Sequence, residues 1–128
     1  MTREVVSTAD APAAVGPYSQ AIHIGNLIFT AGQIPMEPET GRVLAESGIQ
    51  EQTEQVLRNL QAVLEAGGSS LEQIVKTTVF LQNMDDFGAI NEVYARFFPA
   101  NPPARSAVEV ARLPLGVRIE IEAIALRS

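Results

Sequence analysis

Two stretches near the C-terminal end, residues 103–110 and 117–124, alternate apolar and polar side chains, and this period of two constrains the fold more than any other feature. Alternation of that kind makes each stretch a β-strand with one face on a core. It puts Arg105, Ala107 and Glu109 on one face of the first strand, and Ser106, Val108 and Val110 on the other. In the second strand Val117, Ile119, Ile121 and Ala123 share one face, with Arg118, Glu120 and Glu122 opposite. Leu113-Pro114-Leu115-Gly116 turns the chain between them. If the two strands pair, a guanidinium and one or two carboxylates share a surface. A planar donor fork beside a carboxylate suits a small anionic substrate and a water steered onto it. Two amphipathic strands with a solvated charged face fit the same pattern.

Upstream, residues 3–7 can form a short first strand, and Asp10 to Pro17 reads as a connector punctuated by proline and glycine. Tyr18 follows directly, on stiff backbone suited to a site wall or to plain packing. Residues 19–24 and 27–33 form two strands joined by Gly25-Asn26, a hairpin signal with glycine first. Gly32 permits a bulge or a close backbone approach, and residues 37–47 read as a loop.

Ser47 and Gln50 make a capping-box pattern. Beyond them Ile49, Thr53, Val56, Leu57, Leu60, Val63 and Leu64 recur at helical spacing. Gly67-Gly68 ends that helix; phosphate cradles precede helices, and this pair follows one. Residues 73–81 form the longest strand, with Val75, Thr77, Val79 and Leu81 on one face. Apolar residues on both of its faces point to a central strand or to contact with another subunit. Asn83 or Asp85 can cap a second helix with core stripe Phe87, Ile90, Tyr94 and Phe98. Asn91 interrupts that stripe and calls for a polar partner. Pro99, Pro102 and Pro103 stop the helix. The order β-β-β-α-β-α-β-β favours an α+β fold, a sheet with both helices on one face. The bare opposite face then needs cover, and a domain this small should oligomerise.

A chain of 128 residues with 46% hydrophobic content is long enough to bury a core as one domain. The net charge of −6 and nine scattered Lys and Arg argue against a nucleic-acid scaffold. Without cysteine there is no disulfide, thiolate chemistry or Cys-based zinc site, and the lone His23 cannot build a metal cluster. No signal pattern or membrane-length apolar run is present, so the expected location is cytoplasmic.

At Gly16-Pro17-Tyr18-Ser19-Gln20-Ala21, residues 30–35, residues 74–80 and residues 103–110, the chain resembles the RidA/YjgF family. Residues 119–125 resemble it too, so the similarity runs from about Pro12 to the end. The resemblance implies a chorismate-mutase-like α+β fold and a homotrimer with clefts at its subunit interfaces. It implies 2-iminobutanoate/2-iminopropanoate deaminase activity, hydrolysing reactive enamines and imines to 2-oxo acids and ammonia, with no metal or organic cofactor. Carried across by position, Arg105 matches the carboxylate-binding arginine and Glu120, rather than Glu122, the residue that handles the water. Tyr18 matches a tyrosine of the cleft, Gly32 and the backbone of Ala107 match main-chain contacts, and Phe87 and Asn91 match positions from the second helix. Two departures stand out: Ala107 replaces a usual cysteine, and Ala31 replaces a frequent serine. Because the role at 107 is through backbone, the alanine is expected to be tolerated. Besides a chaperone-like interaction protein, which a large exposed apolar patch would mark, two other functions remain open at this point. One is a non-catalytic regulatory trimer that binds small carboxylates; the other, poorly supported by the acidic charge, is an endoribonuclease or translation inhibitor.

Overall fold

The computed structural model describes residues 1–128. Its first helix, α1 (Ile49–Ala66), buries Ile49, Thr53, Val56, Leu57, Leu60, Val63 and Leu64, the stripe expected from sequence. Val56, Leu57, Leu60, Val63 and Leu64 are fully buried; each contributes about 1.5–3 kcal/mol by leaving water. The expected capping box does not form. Gly48 is the N-cap and no side chain caps the helix. Gln50 instead donates to the Ala89 carbonyl and to Glu92, at 3.2 and 2.8 Å. Gln52, buried one residue pair further on, donates back to the carbonyls of Ala45 and Ser47 and fastens the incoming loop. At the other end Gly67 N–H bonds the last-turn carbonyls and Gly68 takes φ +85°, the left-handed stop that favours glycine.

Six strands make one mixed sheet: β1 (Glu4–Val6), β2 (Ala21–Ile24), β3 (Leu27–Thr30), β4 (Ile74–Leu81), β5 (Ala104–Glu109) and β6 (Ile119–Leu126). Their order is β1-β2-β3-β6-β4-β5. The β2–β3 hairpin turns on Gly25 at φ +57°. Only β4 and β5 run parallel, linked by the second helix, α2 (Phe87–Phe97), which packs on α1. Both helices cover one face, so Ile28, Val79, Leu81, Ile119, Ile121 and Ala125 are sealed beneath them.

Two register details differ from expectation. A bulge between Ile74 and Lys76 turns Val75 out of the buried row, leaving it 42% exposed while Thr77, Val79 and Leu81 stay buried. More consequentially, the two strands that organise the sequence do not pair. β4 lies between β5 and β6, antiparallel to β6 and parallel to β5. On the uncovered face, Val5, Phe29 and Val108 are exposed, with Ile22, Phe80 and Ile124 half-buried beside them. No helix is long and apolar enough to cross a membrane.

Candidate active site

The strand between them decides where Arg105 and Glu120 go. Arg105 lies beside Thr77 on β4, and Thr77 is fully buried on the helix side. Glu120 lies opposite Phe80, three residues further along the same strand and therefore on its other face. Arg105 and Glu120 thus leave the sheet in opposite directions, and the surface that pairing of their strands would have given them does not exist within one chain. The expected site residues separate accordingly into two clusters.

The first cluster stands against α2. The Arg105 guanidinium carbon lies 5.0 Å from the Phe87 ring centroid and 4.8 Å from that of Tyr94. Its Nη1 donates to Asn91 Oδ1 at 2.8 Å, which supplies the partner the polar interruption in the helix stripe required. No carboxylate is within salt-bridge distance of Arg105. One neutral acceptor uses one of five N–H groups, so the fork keeps both its charge and most of its donors for a ligand. A groove of about 430 Å³ opens there, lined by Asn91, Tyr94, Phe98, Pro102, Pro103 and Arg105. Ala107 follows on the same face of β5, packed against the core edge. β5 is the outer strand of the sheet, and an edge strand leaves alternate main-chain groups free to meet a ligand.

The second cluster is on the uncovered face. Glu120 rests on Gly32 so closely that a Cβ on that glycine would sit 1.9 Å from Oε2. The two line a cavity of about 610 Å³ with Tyr18, Ala31, Val15, Ile34 and the exposed Leu115. Burial pushes the Glu120 carboxyl above its ordinary range, and the Glu122 carboxylate adds to the effect. Tyr18 is half exposed, its hydroxyl accepting from Val15 N–H at 3.3 Å.

Buried amides that the sequence did not single out hold this wall. Gln20 donates to the carbonyls of Thr8 and Pro12 at 3.1 and 2.7 Å and accepts from Thr8 N–H, tying down the connector before Tyr18. Asn59 on α1 donates to the Ile34 and Met36 carbonyls at 3.0 and 2.9 Å, fixing the far rim. Polar residues on otherwise apolar faces were the available signal. Glu122 lies one pair along β6, near Lys76 and Thr78 rather than in the Glu120 cavity.

An α+β domain with two helices on one face of a mixed sheet carries an unpaired arginine on the covered side and a carboxylate over a glycine on the bare side. The family model described as Endoribonuclease L-PSP matches residues 8–127. The chain belongs to that family, the group also known as RidA/YjgF. A RutC family protein of Pyrococcus abyssi is 53% identical over 128 residues, the whole of both chains. Human 2-iminobutanoate/2-iminopropanoate deaminase is 46% identical over 128 residues, covering all of this chain and 93% of the human one. The structure of E. coli TdcF with bound serine superposes with a TM-score of 0.92 at 46% identity, covering 98% of this chain and 99% of that one.

Proposed function

We propose that this protein hydrolyses small 2-imino acids and their enamine tautomers to 2-oxo acids and ammonia, in clefts assembled between copies of the chain. The observation that carries the reading is the separation of two complementary clusters onto opposite faces of one sheet. An unpaired guanidinium suited to a carboxylate and a half-buried glutamate suited to a water are both present, and neither cluster alone can act on a bond. Joining the Arg105 cluster of one copy to the Glu120 cluster of the next is a head-to-tail contact, the kind that closes into a ring. The exposed apolar residues of the bare sheet face support the same conclusion, since Val5, Phe29 and Val108, each exposed on that face, gain by being covered. A homotrimer is the ring we propose. The human relative's deaminase name and the serine bound to E. coli TdcF accord with a site for amino-acid-like carboxylates.

In the proposed cleft Arg105 takes the substrate carboxylate in two parallel hydrogen bonds and thereby fixes the imine carbon. Glu120 accepts a proton from water as its oxygen bonds that carbon. Glu120 delivers that proton to nitrogen, giving the carbinolamine. The carbinolamine hydroxyl's proton then passes through the same carboxylate to nitrogen as the C–N bond breaks, so the C=O forms and ammonia leaves the 2-oxo acid. The raised Glu120 carboxyl is a stronger base than an ordinary glutamate, which favours this transfer. Gly32 and the main chain at Ala107 flank the reacting atoms, Tyr18 closes one wall, and Phe87 and Asn91 steady the arginine. No step calls for a metal or cofactor. Ribonuclease action is disfavoured by the net charge of −6 and by the absence of a basic track for phosphates.

The test generates imines with an amino-acid oxidase and follows their disappearance. Wild type should accelerate decay, and Arg105→Ala should lose about 10²-fold or more in kcat/KM, as expected for deleting two charge-assisted hydrogen bonds, while sedimenting as wild type does. An active Arg105→Ala protein would remove the arginine from the reaction. Wild type without effect on any imine would make the cleft a binding site for small carboxylates.

A further inference from the structure

Arg105 is held by no counter-ion, and what holds it instead reaches deeper into the fold than the cleft. Tyr94 is buried at 6% exposure, and its ring packs on Phe98 with centroids 4.6 Å apart. Its hydroxyl meets Thr77 Oγ1 at 2.7 Å, and Thr77 is wholly buried. Thr77 is also the residue of β4 directly beside Arg105. One side chain from α2 therefore joins the position next to the arginine in the sheet to the face of the guanidinium itself, 4.8 Å away. Phe87 lies under the same group at 5.0 Å, and Asn91 takes its edge. Ring faces attract a cation without cancelling its charge by a formal counter-ion, so such a cradle orients the fork while leaving it able to capture an anion.

We propose that Tyr94, anchored through Thr77, is a positioning residue that fixes the Arg105 guanidinium for the carboxylate of the substrate. The proposal rests on the reading of Arg105 as the carboxylate anchor. Burial raises the Tyr94 phenol above its ordinary range, against smaller opposing effects of Thr77 and Arg105, so the cradle stays neutral where the enzyme works. A tyrosinate would pair with Arg105 and compete with the substrate; the desolvated phenol does not. The hydroxyl that looks like a spare catalytic acid thus acts by staying protonated and tied to Thr77.

The test measures affinity for a stable 2-oxo acid, the product class, by calorimetric titration, together with the split between KM and kcat on imines. Tyr94→Phe keeps the ring and loses the anchor, and Thr77→Val loses the anchor from the other side, so agreement between the two guards against a folding artefact. Each should weaken 2-oxo acid binding roughly three- to tenfold, the scale of one lost hydrogen bond, raising KM with kcat little changed. Tyr94→Leu should weaken binding further. In an Arg105→Ala background the same substitutions should make no additional difference. Wild-type affinity in both Tyr94→Phe and Thr77→Val would overturn the proposal, as would equal losses with and without Arg105. If Arg105→Ala alone binds the 2-oxo acid like wild type, the anchor reading falls and takes this proposal with it.

Discussion

Gly32→Ala is the sharpest perturbation available, because it moves Glu120 without touching it. An ideal Cβ at residue 32 falls 1.9 Å from Oε2, 2.7 Å from Cδ and 2.9 Å from Cγ of Glu120. Restoring ordinary contact, about 3.4–3.5 Å, requires the carboxylate oxygen to retreat by about 1.5 Å. Glutamate is flexible and this one is only half-buried, so the side chain moves and the fold stays. Gly32 is outside the left-handed region, and replacing such a glycine restricts the unfolded chain. Thermal stability should therefore be unchanged or slightly higher. Activity should not survive so well: a misplacement of about 1 Å typically costs on the order of 10²-fold. The assay is imine decay under single-turnover conditions, comparing Gly32→Ala, Glu120→Gln and the double variant. Gly32→Ala should lose about 10²-fold in rate, and the double variant should be no slower than Glu120→Gln alone. A Gly32→Ala protein at wild-type rate would refute the reasoning that the carboxylate's position sets the reaction. A double variant slower than Glu120→Gln would show that the new methyl obstructs something else.

Glu120→Gln should also be more stable than wild type at neutral pH. The folded carboxyl binds its proton more tightly than the unfolded one, so the wild type is penalised as pH rises through and above the carboxylate range. Denaturant midpoints of the two proteins should converge at low pH and separate as pH is raised; a constant gap would contradict the burial of the charge. Glu122→Gln, which removes the smaller of the two influences on Glu120, should shift the acidic limb of the pH–rate profile downward. Val108→Asp places a charge on the bare sheet face and should lower the sedimentation coefficient and abolish imine hydrolysis together. Loss of activity with assembly intact would detach the cleft from the interface.

Period-two alternation was enough to place β5 and β6 and to assign each residue its face, because alternation is a local property of the strand. Neighbourhood is not. That Ile74–Leu81 would insert between them depends on the parallel β4–α2–β5 crossover, a long-range outcome that two good strand patterns cannot reveal. Both amphipathic helices were legible from their stripes, and the glycine stop of α1 from its position. The start of α1 was not, since Ser47 and Gln50 satisfy the capping pattern while Gln52 secures the loop and Gln50 reaches α2. Resemblance to a family is what singles out Arg105 and Glu120 as candidates; residue spacing offers Glu120 and Glu122 as equals. The helical stripe identifies Tyr94 as core, and it is buried, yet its hydroxyl bond to Thr77 joins residues 17 apart in sequence and leaves no periodic trace.

The opposed directions of Arg105 and Glu120 have a genetic corollary. In the proposed ring each cleft borrows one residue from either neighbour, so defects in the two residues are not equivalent to defects in a single gene product. Two inactive proteins, one carrying Arg105→Ala and the other Glu120→Gln, should regain activity when unfolded together and reassembled. Random mixing in equal amounts restores roughly one cleft in four, because every mixed ring of three has a single junction where both intact residues meet. Inactivity would then belong to combinations of chains rather than to either chain.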